Sequence, residues 1–149
     1  MTAVTRETLM AALFAKLQTL SGYTVFTRRF VPRGELGIGS LPILIMIEDA
    51  EPEKIEQAGP AGQRRFVGVM VIVAARNTNK AVSGITLINP MVDAIDNLLT
   101  APDNLANGRF TLGGLATYCR IEGQLFKQSG DIDADGIGGA VIPIKILMP

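Results

Sequence analysis

Asp131, Asp133 and Asp135 are the residues whose type and spacing come nearest to a reaction or ligand site, in the run Asp131-Ile132-Asp133-Ala134-Asp135-Gly136. Carboxylates at alternate positions followed by glycine match the first half of a calcium loop, where they converge on a hard cation and the glycine allows a sharp turn. The complete loop needs a bidentate glutamate at its twelfth position. That position is Ile142, and no helices are expected on either side. A connection between two strands explains the same Asp and Gly residues by turn chemistry alone. The three carboxylates are therefore weak metal candidates, and no cofactor is expected.

Catalysis has little to draw on. The chain contains no histidine, which removes the usual general base and the commonest metal ligand. Its single cysteine, Cys119, excludes an internal disulfide and reads as a small buried side chain rather than a nucleophile. Asp93 and Asp96 stand at helical i, i+3 spacing on a face expected to be wet. Residues 32–40 (PRGELGIGS) are glycine-bearing but lack the Gly-Lys-Ser/Thr ending of a phosphate loop, and no GxGxxG spacing fits. The chain is not expected to be an enzyme.

The remaining candidates are charges. Arg28, Arg29, Arg33, Arg64 and Arg65 form a basic patch if their strands are neighbours; otherwise they are surface charge balanced by an acidic loop. With Glu35, Glu51, Glu53, Lys54 and Glu56 they make up a candidate partner interface.

At 149 residues the chain suits one domain with a real core, and 14 basic against 14 acidic residues leave no net charge. Nothing global favours a membrane or sequence-specific nucleic acid. Charged residues are 19% and apolar ones 48%, a balance that favours assembly over a free monomer. The longest apolar run, residues 66–75, is too short to cross a membrane, and the N-terminus lacks a secretory pattern, so assembly in the cytoplasm is expected.

Periodicity supplies the elements that must position these groups. Residues 5–20 read as an amphipathic helix capped by Thr5, with Leu9, Leu13 and Leu17 on its core stripe. Residues 23–31 read as a strand with Phe26 and Phe30 on one face, and residues 41–48 as a second strand. An acidic connection over residues 48–63 leads into a long strand, residues 64–76, apolar on both faces. Either the domain itself covers both faces, or a neighbouring subunit covers one. A second helix runs through Leu99; its start is either Ser83 with a kink at Pro90, or Asn89 as cap with Pro90 at the first position. Strands over residues 115–125 and 139–148 close the chain, and Pro143 suggests an edge position or a bulge. The order αβββαββ predicts an α+β domain with a mainly antiparallel mixed sheet of about five strands and two helices on one face.

This layout resembles the tail-terminator (tail completion) proteins of long-tailed phages, such as the lambda terminator. The likeness rests on the stripe Leu9-Leu13-Leu17, the Leu41-Pro42-Ile43 strand start and the helix Val92-Asp93-Ala94-Ile95-Asp96-Asn97-Leu98-Leu99. The Asp/Gly turn before Ala140-Val141-Ile142-Pro143-Ile144 completes it. The resemblance implies a non-enzymatic virion tail component: a hexameric ring that caps the major tail tube protein, ends its polymerisation and offers a surface to the head-side connector or stopper. It also implies that residues 32–40 and 48–63 reach tube or connector partners. Another neck, connector or tail-tube component has the same features. A small ligand- or calcium-binding module is the alternative that the Asp131–Asp135 run favours.

Overall fold

The computed structural model describes residues 4–51, 55–57, 63–132 and 135–149, with backbone alone at 55–57, 63 and 64. Helix α1 (Arg6–Leu17) starts where expected: Thr5 is extended and its side chain accepts the Thr8 N–H. Leu9, Met10, Leu13 and Leu17 are buried beneath it, spaced to share one helical face. Strands β1 (Val25–Thr27), β2 (Ile43–Glu48), β3 (Ile55–Gln57) and β4 (Gln63–Arg76) follow. Helix α2 (Ile85–Thr100) then leads to β5 (Tyr118–Ile121), β6 (Phe126–Gln128) and β7 (Ile137–Leu147).

The strands form one mixed sheet in the order β1-β2-β4-β7-β5, with β3 paired to β4 and β6 to β7. All pairs are antiparallel except β1 with β2. The α+β class is as expected, with two short strands added. Both helices cover the same face. Leu9, Leu13, Ile88, Ile95 and Leu99 close over Val69, Val71 and Val73 of β4 and Ile142, Ile144 and Ile146 of β7 in one apolar cluster. Long β4 is central because its inward positions are all apolar and small enough to pack beneath two helices.

Three local expectations need correction. The first strand is only Val25–Thr27, because Thr27 Oγ1 accepts the Arg29 N–H at 3.0 Å and turns the chain out of the sheet. Phe26 therefore joins the helix-side cluster while Phe30 lies on the outer face, so the two do not share a side. The strand expected over 115–125 is shorter and is followed by a separate β6. Pro143 is internal to the sheet, not at an edge. Its carbonyl accepts the Glu122 N–H at 3.2 Å, so its donorless nitrogen faces the break between β5 and β6. Four residues, 122–125, bulge there opposite Ile142 and Pro143. Gly123, with φ +127°, passes so close that a Cβ would lie 3.0 Å from the proline ring.

Of the two starts open for α2, the longer one is right in extent, since Pro90 lies inside the helix, but its cap is Gly84 and not Ser83. Gly84 occupies the cap position and brings no side chain of its own.

Candidate functional site

The missing cap comes from the calcium-like run. Asp131 Oδ1 accepts the Gly84 N–H at 2.8 Å and Oδ2 accepts the Ser83 hydroxyl at 2.7 Å. These bonds from Gly84 and Ser83 hold the Asp131 carboxyl below its ordinary pKa. Asp135 accepts the Ile137 N–H at 3.0 Å and Arg33 Nη2 at 3.0 Å, and the Ile137 bond is the main reason its pKa is lowered. Asp133 lies outside the described residues. Both described carboxylates thus face backbone and side-chain donors, and no group of three metal-ligating residues occurs among the described residues. Turn and cap chemistry accounts for the described bonds of Asp131 and Asp135.

The candidate arginines separate into two regions. At one end of the sheet Glu51 binds Arg6 of α1 through both carboxylate oxygens and Arg65 of β4 at 3.2 Å. Its bond to Arg6, with both positive charges nearby, keeps Glu51 ionised below the usual range. Arg28 clasps Glu7, with Nη2 to Oε2 at 3.1 Å, and lies 3.7 Å from Glu48. Arg29 and Glu35 are exposed. Arg33 lies elsewhere, tied to Asp135, to Gln128 and to the Ile137 carbonyl. The structure describes no side chain for Glu56 or Arg64, and Glu53 and Lys54 lie outside the described residues. Arg28 and Arg65 are therefore ion-paired where they stand, Arg65 sharing Glu51 with Arg6, and do not form one basic patch with Arg33.

The most distinctive surface is the sheet face away from the helices. Residues 30–41, including short 3-10 turns at Arg33–Glu35 and Ile38–Ser40, fold back over one side of it. Val31, Leu36 and Leu41 pack there on Ile43, Ile45, Ala74 and Ile137. The cover stops short. Ile47, Met70, Ile72, Val141 and Pro143 remain half-buried. A groove of about 300 Å³ runs between Phe30 and Phe126, floored by Ile45, Ile72 and Val141. Its two rims, Phe30 and Phe126, are 55% and 58% exposed. Reading β4 as apolar on both faces anticipates such a surface, but neither rim residue was legible as one. Phe30 hides in an apparent strand, and Phe126 follows a strand break that only the bulge opposite Pro143 creates.

Cys119 sits on the helix side of β5 at 1% exposure, and burial pushes its thiol up to about 12. It is a packed apolar group. No protein-family profile matches the chain, and no curated protein is significantly similar to it.

Proposed function

We propose that this chain is a tail-terminator subunit: a structural protein whose copies close into a ring on the end of a phage tail tube and present a head-side joining surface. The observation that carries the reading is the partly uncovered apolar face between Phe30 and Phe126. Apolar surface left in water is costly at roughly 25 cal/mol per Å², and a rimmed patch of this kind marks an interaction site. A neighbouring copy laid against it buries what the short cover of residues 30–41 leaves open; a stable contact of this type takes about 800 Å² from each partner. The sequence resemblance to tail terminators supplies the assembly, and the absence of histidine with an inert Cys119 is consistent with a role that needs no reaction.

Sedimentation of the purified protein, with negative-stain images of it mixed with tail tubes, tests the reading. A six-fold ring seated on one end of the tube is expected. A particle that neither self-associates nor binds tube ends overturns it.

A further inference from the structure

We infer that the solvent side of α2 in one copy docks on the outer sheet face of the next, with Asp93 and Asp96 meeting three cations gathered at its β5 edge. The inference rests on the ring reading and specifies which side of the neighbour covers the open face.

The cations stand together. Arg120 and Lys145 are directly opposite in the β5–β7 register, while their sequence neighbours Cys119, Ile144 and Ile146 are buried in the helix-side cluster. Side chains alternate along a strand, so Arg120 and Lys145 belong to the outer face. The Arg120 guanidinium lies 4.2 Å from the centre of the Tyr118 ring, and that of Arg109 lies 5.7 Å from the same centre. The two guanidinium groups are therefore within about 10 Å of each other. Glu122 pairs with Arg120 at 3.0 Å and with Lys145 at 3.7 Å. Arg109 has no ion pair among the described residues. Three cations against one carboxylate leave two positive charges in surplus. Beside them the face is apolar. Pro143 and Val141 follow on the same side of β7, opposite Met70 and Ile72 of β4, and all four are half-buried.

The solvent side of α2 carries the matching pattern. Leu87, Pro90 and Ala94, at i, i+3 and i+7, line up as an exposed apolar strip. Asp93 and Asp96, at i and i+3, form an exposed acidic strip beside it, with Cβ atoms about 5–6 Å apart. That spacing suits two guanidinium groups held at one ring. The helix contains no lysine or arginine, and neither aspartate has an ion pair among the described residues. Two negative charges on α2 thus answer two positive charges on the outer face.

Within one copy the sheet keeps these surfaces apart, because α2 packs Ile88, Ile95 and Leu99 onto the opposite face. They meet between copies. Different surfaces on the two sides of one domain make a head-to-tail contact, which closes into a ring when the rotation allows. Covering the apolar area drives association, and the charges fix which side of the neighbour is presented.

Charge reversal tests the contact. Asp93→Lys/Asp96→Lys puts bases on α2, and Arg109→Glu/Arg120→Glu puts acids at the β5 edge. Each variant alone is expected to raise the dissociation constant of the assembly, in solution or on tail ends, at least about tenfold, with an unchanged circular dichroism spectrum. Mixing the two restores assembly, because in an alternating ring every α2 then meets a cluster of opposite charge. Arg109→Glu alone, which leaves both ion pairs of Glu122 in place, shows a smaller loss in the same direction. A wild type that assembles while the variants assemble equally well overturns the inference and leaves the ring reading standing. If the Arg109→Glu/Arg120→Glu variant assembles normally but loses a wild-type affinity for duplex DNA, the cluster serves a polyanion and the inference is likewise overturned. Variants that fold and dissociate but do not recover on mixing also overturn it. A wild type that stays monomeric at the highest attainable concentration, and is absent from tail ends, ends both.

Discussion

Asp131 caps a helix whose cap residue, Gly84, stands 47 positions before it, accepting the Gly84 N–H at 2.8 Å. The first turn of a helix leaves backbone donors without partners, and a carboxylate there also meets the positive end of the helix dipole. The turn before β7 therefore fastens α2 to the sheet. Gly84 is required on the other side of this contact, since a Cβ there would lie 2.0 Å from the Ser129 carbonyl oxygen.

The capping role makes a prediction about metal. Asp131→Ala should lower Tm by a few degrees, and Asp131→Asn, which keeps an acceptor, by less. Calcium and chelator should give superimposable melting curves for the wild type. A calcium-dependent rise of many degrees would restore the cation reading.

Acid should loosen the molecule from identifiable points. The Glu51 pKa is lowered chiefly by its bond to Arg6. Burial raises that of Asp103, but the Gly113 N–H, the Thr111 hydroxyl and the Thr111 N–H outweigh it and leave the value below ordinary. Carboxylates with lowered folded values stabilise above the unfolded pKa, about 4, and that contribution is lost as pH falls through the folded values. Urea midpoints should be flat from neutral pH to about 5 and decline below about 4, and Glu51→Gln should flatten part of that decline.

The alkaline side has the opposite sign. Burial raises the Cys119 thiol from 9.0 to about 12 and the Tyr23 phenol from 10.0 to about 12. Groups that must stay neutral in the fold cost nothing below their unfolded values, and stability falls as pH rises from about 9 towards 12. Thiol labelling of Cys119 at pH 8 should be slow in the native protein and fast in denaturant. The Tyr23 hydroxyl is buried without a hydrogen-bond partner among the described residues, so Tyr23→Phe should leave Tm unchanged or raise it.

The two sheet faces should respond differently to truncation. Ile142→Ala, beneath the helices, should cost about 2–5 kcal/mol in chemical denaturation. Phe126→Ser, on the exposed rim, should change stability by no more than about 0.5 kcal/mol. Its effect should fall instead on self-association, read by sedimentation. Equal loss of stability at both positions would mean that the outer face belongs to the core.

The turn glycine Gly130 has φ +78°, and a Cβ there would meet the Ile137 backbone at 2.5 Å. Gly130→Ala should destabilise by more than the roughly 1 kcal/mol typical of a point substitution, because it adds a clash to a conformation that L-residues avoid. Thermal melting measures it directly.

Patterns along the chain were sufficient wherever one element answers to its own neighbours. The Leu9-Leu13-Leu17 stripe, the Thr5 cap, the unbroken apolar run of β4 and the alternation that buries Cys119 each report local periodicity, and helix, strand and core followed from them. Tertiary contact decided the rest. Whether Asp131 meets a cation or a helix end depends on Gly84, 47 positions away. Whether Phe30 is core or rim depends on where Thr27 turns the chain out of the sheet. Pro143 fits inside the sheet only because the neighbouring chain bulges opposite it. A side chain's partners in space are set by chain crossings that leave no period in the sequence, and so its role at a surface is decided only when the sheet is assembled.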